Sequence, residues 1–167
     1  MSGTTEQYAQ QQPSGNNFVS KAWIDNYQQS GLGRLTILSG SMAPLISTGD
    51  RIIVRKTPLN HIRIGDIITF WKGDVLVTHR VVRKCIKDNT LCFIESGDSS
   101  ARTSLCRGQS VLGRVALIKK GQRTINLDRF RWKACNRAAG VMLFCALAVR
   151  VIGRKTPWIP RWLRASL

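Results

Sequence analysis

Gly65-Asp66-Ile67-Ile68-Thr69-Phe70-Trp71-Lys72-Gly73-Asp74-Val75-Leu76-Val77-Thr78-His79-Arg80-Val81-Val82 decides the fold. Two runs rich in β-branched and aromatic residues, Asp66–Trp71 and Val75–Lys84, flank the turn-forming Lys72-Gly73-Asp74, which reads as strand, turn, strand. The same signature repeats on either side. Leu35–Leu38, Arg51–Arg55, Leu91–Glu95 and Val111–Lys119 are further short runs, punctuated by Thr48-Gly49-Asp50, Ile64-Gly65-Asp66 and Ser96-Gly97-Asp98. Asp88-Asn89 suits a tight hairpin turn that pairs 87 with 90 and 86 with 91 and sets Cys85 directly opposite Cys92. Short strands with quick returns favour a mostly β domain with a curved or barrel-like sheet over a parallel one.

The 167 residues suffice for one core of ordinary size. Residues 1–17 are rich in Gln, Ser, Gly and Asn, lack the basic start and apolar centre of a secretory signal, and are expected to be disordered. Phe18, Val19, Ala22, Trp23 and Tyr27 have near-helical spacing, and Gly31-Leu32-Gly33 would end a helix reaching about Gln29. The tail differs again: Leu127–Arg137 is basic and aromatic, and Ala138–Val149 is uncharged. That run falls short of the roughly 20 apolar residues a membrane-spanning helix needs. The expected division is a polar head at 1–17, a domain at 18–120 and a basic, partly apolar, helical tail at 121–167.

Charge is concentrated toward the end of the chain. The formal total is +17, and residues 119–167 hold 12 basic side chains against Asp128 alone. Such a density attracts an anionic surface, either nucleic acid or acidic lipid. No helix-turn-helix signature accompanies it, so nucleic acid is the less favoured partner. An interfacial helix would place Trp132, Trp158 and Trp162 at headgroup level and bring Arg137, Arg150, Arg154 and Lys155 to anionic lipid; the plain alternative is a helix packed on the domain with a solvated basic edge. The expected location is cytoplasmic or at a membrane surface.

Five cysteines, at 85, 92, 106, 135 and 145, include no Cys-x-x-Cys pair and have no histidine at zinc-site spacing, so neither a metal nor any other cofactor is expected. Cys85 and Cys92 are better read as small apolar strand residues than as a disulfide. No glycine-rich phosphate loop is present.

The chemistry gathers in two segments, Ser39-Gly40-Ser41-Met42-Ala43-Pro44 and Val77-Thr78-His79-Arg80-Val81-Val82. A serine hydroxyl is a weak nucleophile until a base takes its proton, and histidine is the side chain suited to do so near neutral pH. Gly40 lets a backbone approach Ser41, and Pro44 stiffens the loop beyond it. On a strand from Val75 to Lys84, His79 shares a face with Val77 and Val81 while Arg80 points the other way.

In order, Ser39-Gly40-Ser41-Met42-x-Pro44, Gly49-Asp50, Gly65-Asp66-Ile67-Ile68-Thr69-Phe70, Thr78-His79-Arg80-Val81-Val82 and Gly97-Asp98 resemble the type I signal peptidases and the wider group of LexA-like serine peptidases, over about residues 35–120. Histidine at position 79 is similar to the endoplasmic-reticulum, archaeal and sporulation-type enzymes rather than to the lysine-type ones. The resemblance implies a serine endopeptidase with Ser41 as nucleophile and His79 as base. It also implies an oxyanion hole from the backbone N–H of Ser41 and the hydroxyl of Ser39, Met42 and Pro44 beside the substrate, and an extended peptide or precursor protein as substrate. For the third member it implies Asp98. A further acidic residue is implied about six positions on, where this chain has Ser104, so the fallback is a Ser–His dyad assisted by Ser104 or water. That departure also leaves room for a catalytically silent peptide-binding module on the same scaffold.

Overall fold

The computed structural model describes residues 21–100 and 102–155, and the polar head, Phe18, Val19, Trp158 and Trp162 lie outside them. A helix α1 (Lys21–Ser30) leads into β1 (Leu32–Thr36) and β2 (Arg51–Arg55), followed by β3 (Ile67–Lys72), β4 (Val75–Lys87), β5 (Thr90–Ser96), β6 (Thr103–Arg107), β7 (Val111–Lys120), β8 (Arg123–Asn126) and α2 (Phe130–Lys155). The strands form one antiparallel sheet in the order β1-β2-β7-β3-β4-β5-β6, with β8 added to β7. The mostly β, curved-sheet expectation is met, with a short helix before the sheet and a longer one after it.

Two strands escaped the sequence reading. Thr103–Arg107 alternates polar and apolar residues too weakly to stand out, and β8 follows the turn at Gly121. β8 pairs with β7 and Leu127 is fully buried, so the sheet continues to Asn126 and the core takes in Leu127. Asp128 then closes it, accepting from Arg55 at 2.7 Å and Arg114 at 2.5 Å.

The tight turn at Asp88-Asn89 forms as expected, both residues taking positive φ (49° and 56°), and it sets Cys85 opposite Cys92 with both thiols free. The ladder then slips. Arg83 pairs with Ile94 but Val81 pairs with Glu95, so Val82 is the extra residue of a β-bulge in β4.

The core has two parts. One joins Tyr27, Met42, Ile46, Ile52, Val54, Ile67, Val115, Ile118 and Leu127, and the other Ile62, Ile68, Phe70, Val81, Phe93 and Cys106. Tyr27 ties α1 to the sheet by donating to the Leu112 carbonyl at 2.7 Å, and burial pushes its hydroxyl pKa up to about 12.

The buried guanidinium of Arg80 holds the other helix. It donates to both oxygens of Asp98 (2.7 and 2.6 Å), to the Gly65 carbonyl at 2.9 Å and to Asn136 Oδ1 of α2 at 2.9 Å. Gly65, at φ +90°, lies against the α2 backbone at Asn136 and Gly140, so any side chain there would meet the helix main chain. Beyond Gly140, Val141, Met142 and Phe144 are exposed. No helix among the described residues is long and apolar enough to cross a membrane.

Candidate active site

The loop between β1 and β2 carries Ser41. Met42 is its anchor: 1% exposed, it is buried in the core, and its carbonyl accepts from Ile46 N–H at 2.9 Å while Ala43 N–H donates to the Gly40 carbonyl at 3.0 Å. The Met42 side chain, expected beside the substrate, lies in the core and fixes the loop from below, whereas Pro44, expected there too, is exposed. Asp50 closes the loop by accepting from Ser47 N–H at 2.7 Å and pairing with Lys120 at 3.0 Å. Ser39, the other expected oxyanion donor, is exposed on the same loop, and Ser41 is half-buried.

A second loop, after β5, braces the first. Ser99 N–H donates to the Ser41 carbonyl and Ser99 Oγ to the Gly40 carbonyl, both at 3.0 Å. Gly97 makes this approach possible, since a Cβ there would sit 2.5 Å from the Ser41 carbonyl oxygen. The sequence gives Gly97 the look of an ordinary turn glycine; only the contact reveals why the position is filled by one.

His79 projects from the middle of β4 toward this loop, with Nε2 3.1 Å from Ser41 Oγ. The two sequence-read residues, 38 positions apart, are thus within hydrogen-bond reach. An edge-on contact with Phe70, centroids 6.3 Å apart, walls one side of the imidazole. The other ring nitrogen, Nδ1, lies 2.5 Å from Glu95 Oε2.

The structure does not bring Asp98 to His79. Both Asp98 oxygens are taken by Arg80 on the opposite face of β4, and the carboxylate on the imidazole belongs to Glu95. The bulge is the cause. With the register of the Asp88-Asn89 turn continued unbroken, position 98 would fall opposite 79; the extra residue Val82 shifts the ladder by one, which exchanges the faces. Glu95 now shares its face with Val81 and His79, whereas Ser96 and Asp98 share theirs with Arg80.

Glu95 is 1% exposed. Burial opposes its ionisation, but hydrogen bonds from His79 and Ser104 and the charges of His79 and Lys72 outweigh it and hold the carboxyl below its ordinary range. Ser104 Oγ donates to Glu95 Oε1 and accepts from Lys72 Nζ at 3.2 Å. Sequence reasoning passed over Glu95 because it ends a strand rather than sitting in a Gly-Asp turn; its place in a run of buried residues, where a lone carboxylate is costly, was the available signal. Among the described residues no three metal-ligating side chains cluster.

A curved antiparallel sheet here holds a serine hydroxyl against a carboxylate-linked histidine, an arrangement with the parts that nucleophilic catalysis by serine requires. Over residues 1–116 the chain matches the Peptidase S24-like family and belongs to it. It is 38% identical over 68 residues to signal peptidase I W of Bacillus subtilis (strain 168), a stretch covering 40% of this chain and 36% of that protein. It is 30% identical over 112 residues to the signal peptidase complex catalytic subunit SEC11 of Chaetomium globosum, covering 59% of this chain and 65% of that protein. The chain therefore spans less than two thirds of either relative's length.

Proposed function

We propose that this chain is a serine endopeptidase of the signal-peptidase type, and the observation that carries the reading is the 3.1 Å approach of Ser41 Oγ to His79 Nε2. Ser41 Oγ attacks the scissile carbonyl carbon while His79 Nε2 takes its proton. The tetrahedral oxyanion is held by the backbone N–H of Ser41 and the hydroxyl of Ser39, donors worth several kcal/mol when aimed at developing charge. Collapse breaks the C–N bond, the amine leaves with the proton from His79, and an ester to Ser41 remains. Water, deprotonated by the same imidazole, then hydrolyses the ester. An extended peptide or precursor protein is the substrate class, supported by the signal peptidases the chain resembles.

The site works at a membrane surface in this reading. Exposed Val141, Met142 and Phe144 lie on a helix that has basic residues near both ends, as an interfacial helix does. Full-length protein should float with anionic vesicles, and Met142→Glu with Phe144→Glu should abolish flotation; equal binding by the variant would remove the membrane from the proposal.

A fluorophosphonate tests the peptidase reading without knowledge of the substrate. Ser41 should be phosphonylated, Ser41→Ala should take no label, and His79→Ala should react slower by about 10⁴-fold or more. Labelling of Ser41→Ala, or an undiminished rate in His79→Ala, would sink the assignment and favour a silent peptide-binding module.

A further inference from the structure

One buried carboxylate, Glu95, and one partly buried, Asp98, approach the hairpin of β4 and β5, and it is Glu95 that lies against His79. We infer that Glu95 is the positioning carboxylate of the Ser41–His79 pair, locked by Ser104 from the neighbouring strand; this rests on the peptidase reading above. Both carboxylate oxygens are engaged. Oε2 faces His79 Nδ1 at 2.5 Å, and Oε1 accepts from Ser104 Oγ, which in turn accepts from Lys72 Nζ. A carboxylate at Nδ1 keeps the proton on that nitrogen, leaving the Nε2 lone pair for the hydroxyl of Ser41. It also stabilises the imidazolium formed when His79 takes the serine proton.

Ser104 locks the carboxylate because it is its direct cross-strand partner, Glu95 pairing with Ser104 in the β5–β6 ladder. Side chains directly opposite share a face and sit close enough to bond. Position 104 is where the resemblance implies an acidic residue, so the negative charge has crossed one rung, leaving a hydroxyl that fixes the rotamer of its replacement. Lys72, at the end of β3, completes the chain from a third strand.

The same fluorophosphonate, with wild-type and variant full-length chains, separates this role from a structural one. Glu95→Gln keeps the buried volume and should lower the limiting phosphonylation rate by about 10²–10⁴-fold with half-saturating probe concentration unchanged. Ser104→Ala should lower it less, because the carboxylate keeps its bond to His79. Moving the acid back, in Glu95→Ala with Ser104→Asp, should recover part of the rate lost in Glu95→Ala alone. Proton NMR gives a readout independent of reactivity: the short Nδ1–H···Oε2 bond should produce a resonance downfield of the amide region, missing in Glu95→Gln and in His79→Ala. A labelling rate in Glu95→Gln equal to wild type, or a downfield resonance that persists in it, overturns the role of Glu95 while leaving Ser41 and His79 in place. Absence of Ser41 labelling in the wild-type chain with the resonance present overturns the peptidase reading instead.

Discussion

Neighbouring residues of β4 face two carboxylates in opposite ways. On one face His79 meets Glu95, a contact between an imidazole 19% exposed and a buried acid that opens toward Ser41. On the other, Arg80 is 2% exposed and meets Asp98 in a bidentate pair, while its Nη1 donates to Gly65 and Asn136. Both are ion-pair geometries of similar length. The first leaves a nitrogen pointed at the Ser41 hydroxyl, while the bonds of the second hold a turn and a helix, so one face presents groups able to react and the other holds the fold.

Breaking the architectural pair should give the largest change in stability. Asp98→Ala leaves a buried guanidinium without its counter-charge and should cost about 3–5 kcal/mol, read as a lower denaturant midpoint; the effect on Ser41 labelling below the transition should be small beside that of Glu95→Gln. If Asp98→Ala instead slowed labelling as much as Glu95→Gln at full stability, the division between the faces would be wrong.

Gly97 joins the two regions, since it precedes Asp98 and backs onto Ser41. Gly97→Ala would drive a methyl against the Ser41 carbonyl and should cost about 1–3 kcal/mol, with a fall in labelling rate from the displaced Ser41; retention of both would show that the loops part freely.

Acid titration sharpens the His79 side. Glu95 has its folded pKa held below the unfolded value, so its contribution to stability is present above the unfolded pKa and is lost as pH falls through the folded one. The stability of wild type should therefore decline more steeply than that of Glu95→Gln below about pH 4.5, as followed by chemical denaturation; parallel curves would mean that the His79 and Ser104 bonds do not favour the ionised acid.

The smallest effect is expected far from both faces. Tyr27, with its pKa raised to about 12, supports the fold below its unfolded pKa near 10 and loses that support as pH rises between them. Tyr27→Phe should flatten the alkaline limb and cost about 1 kcal/mol near neutrality through the lost bond to Leu112.

Particular residues show how far the sequence could be read. The Asp88-Asn89 turn, the paired cysteines, the strand at Arg51–Arg55 and the extended His79 strand were all legible, because each follows from local preference and period. The Gly-Asp pairs were legible as turns: Asp66 accepts from Arg63 N–H at 2.9 Å, as Asp50 does from Ser47 N–H. Thr103–Arg107 was not, because an edge strand with one buried side chain has little pattern to show. Nor was the burial of Met42, which depends on what the returning loop packs against.

By itself the sequence determined the mostly β class, the hairpin at Asp88-Asn89 and the serine and histidine segments, since these rest on residue type, turn chemistry and alternation along a single strand. Which acid faces the histidine was decided only in the tertiary structure. Alternation assigns faces relative to a register, and the extra residue Val82 changes the register between the turn and the site. One bulge thus turns Glu95 toward His79 and Asp98 toward Arg80, and whether β4 carries it depends on the long-range pairing of three strands rather than on the residues beside it.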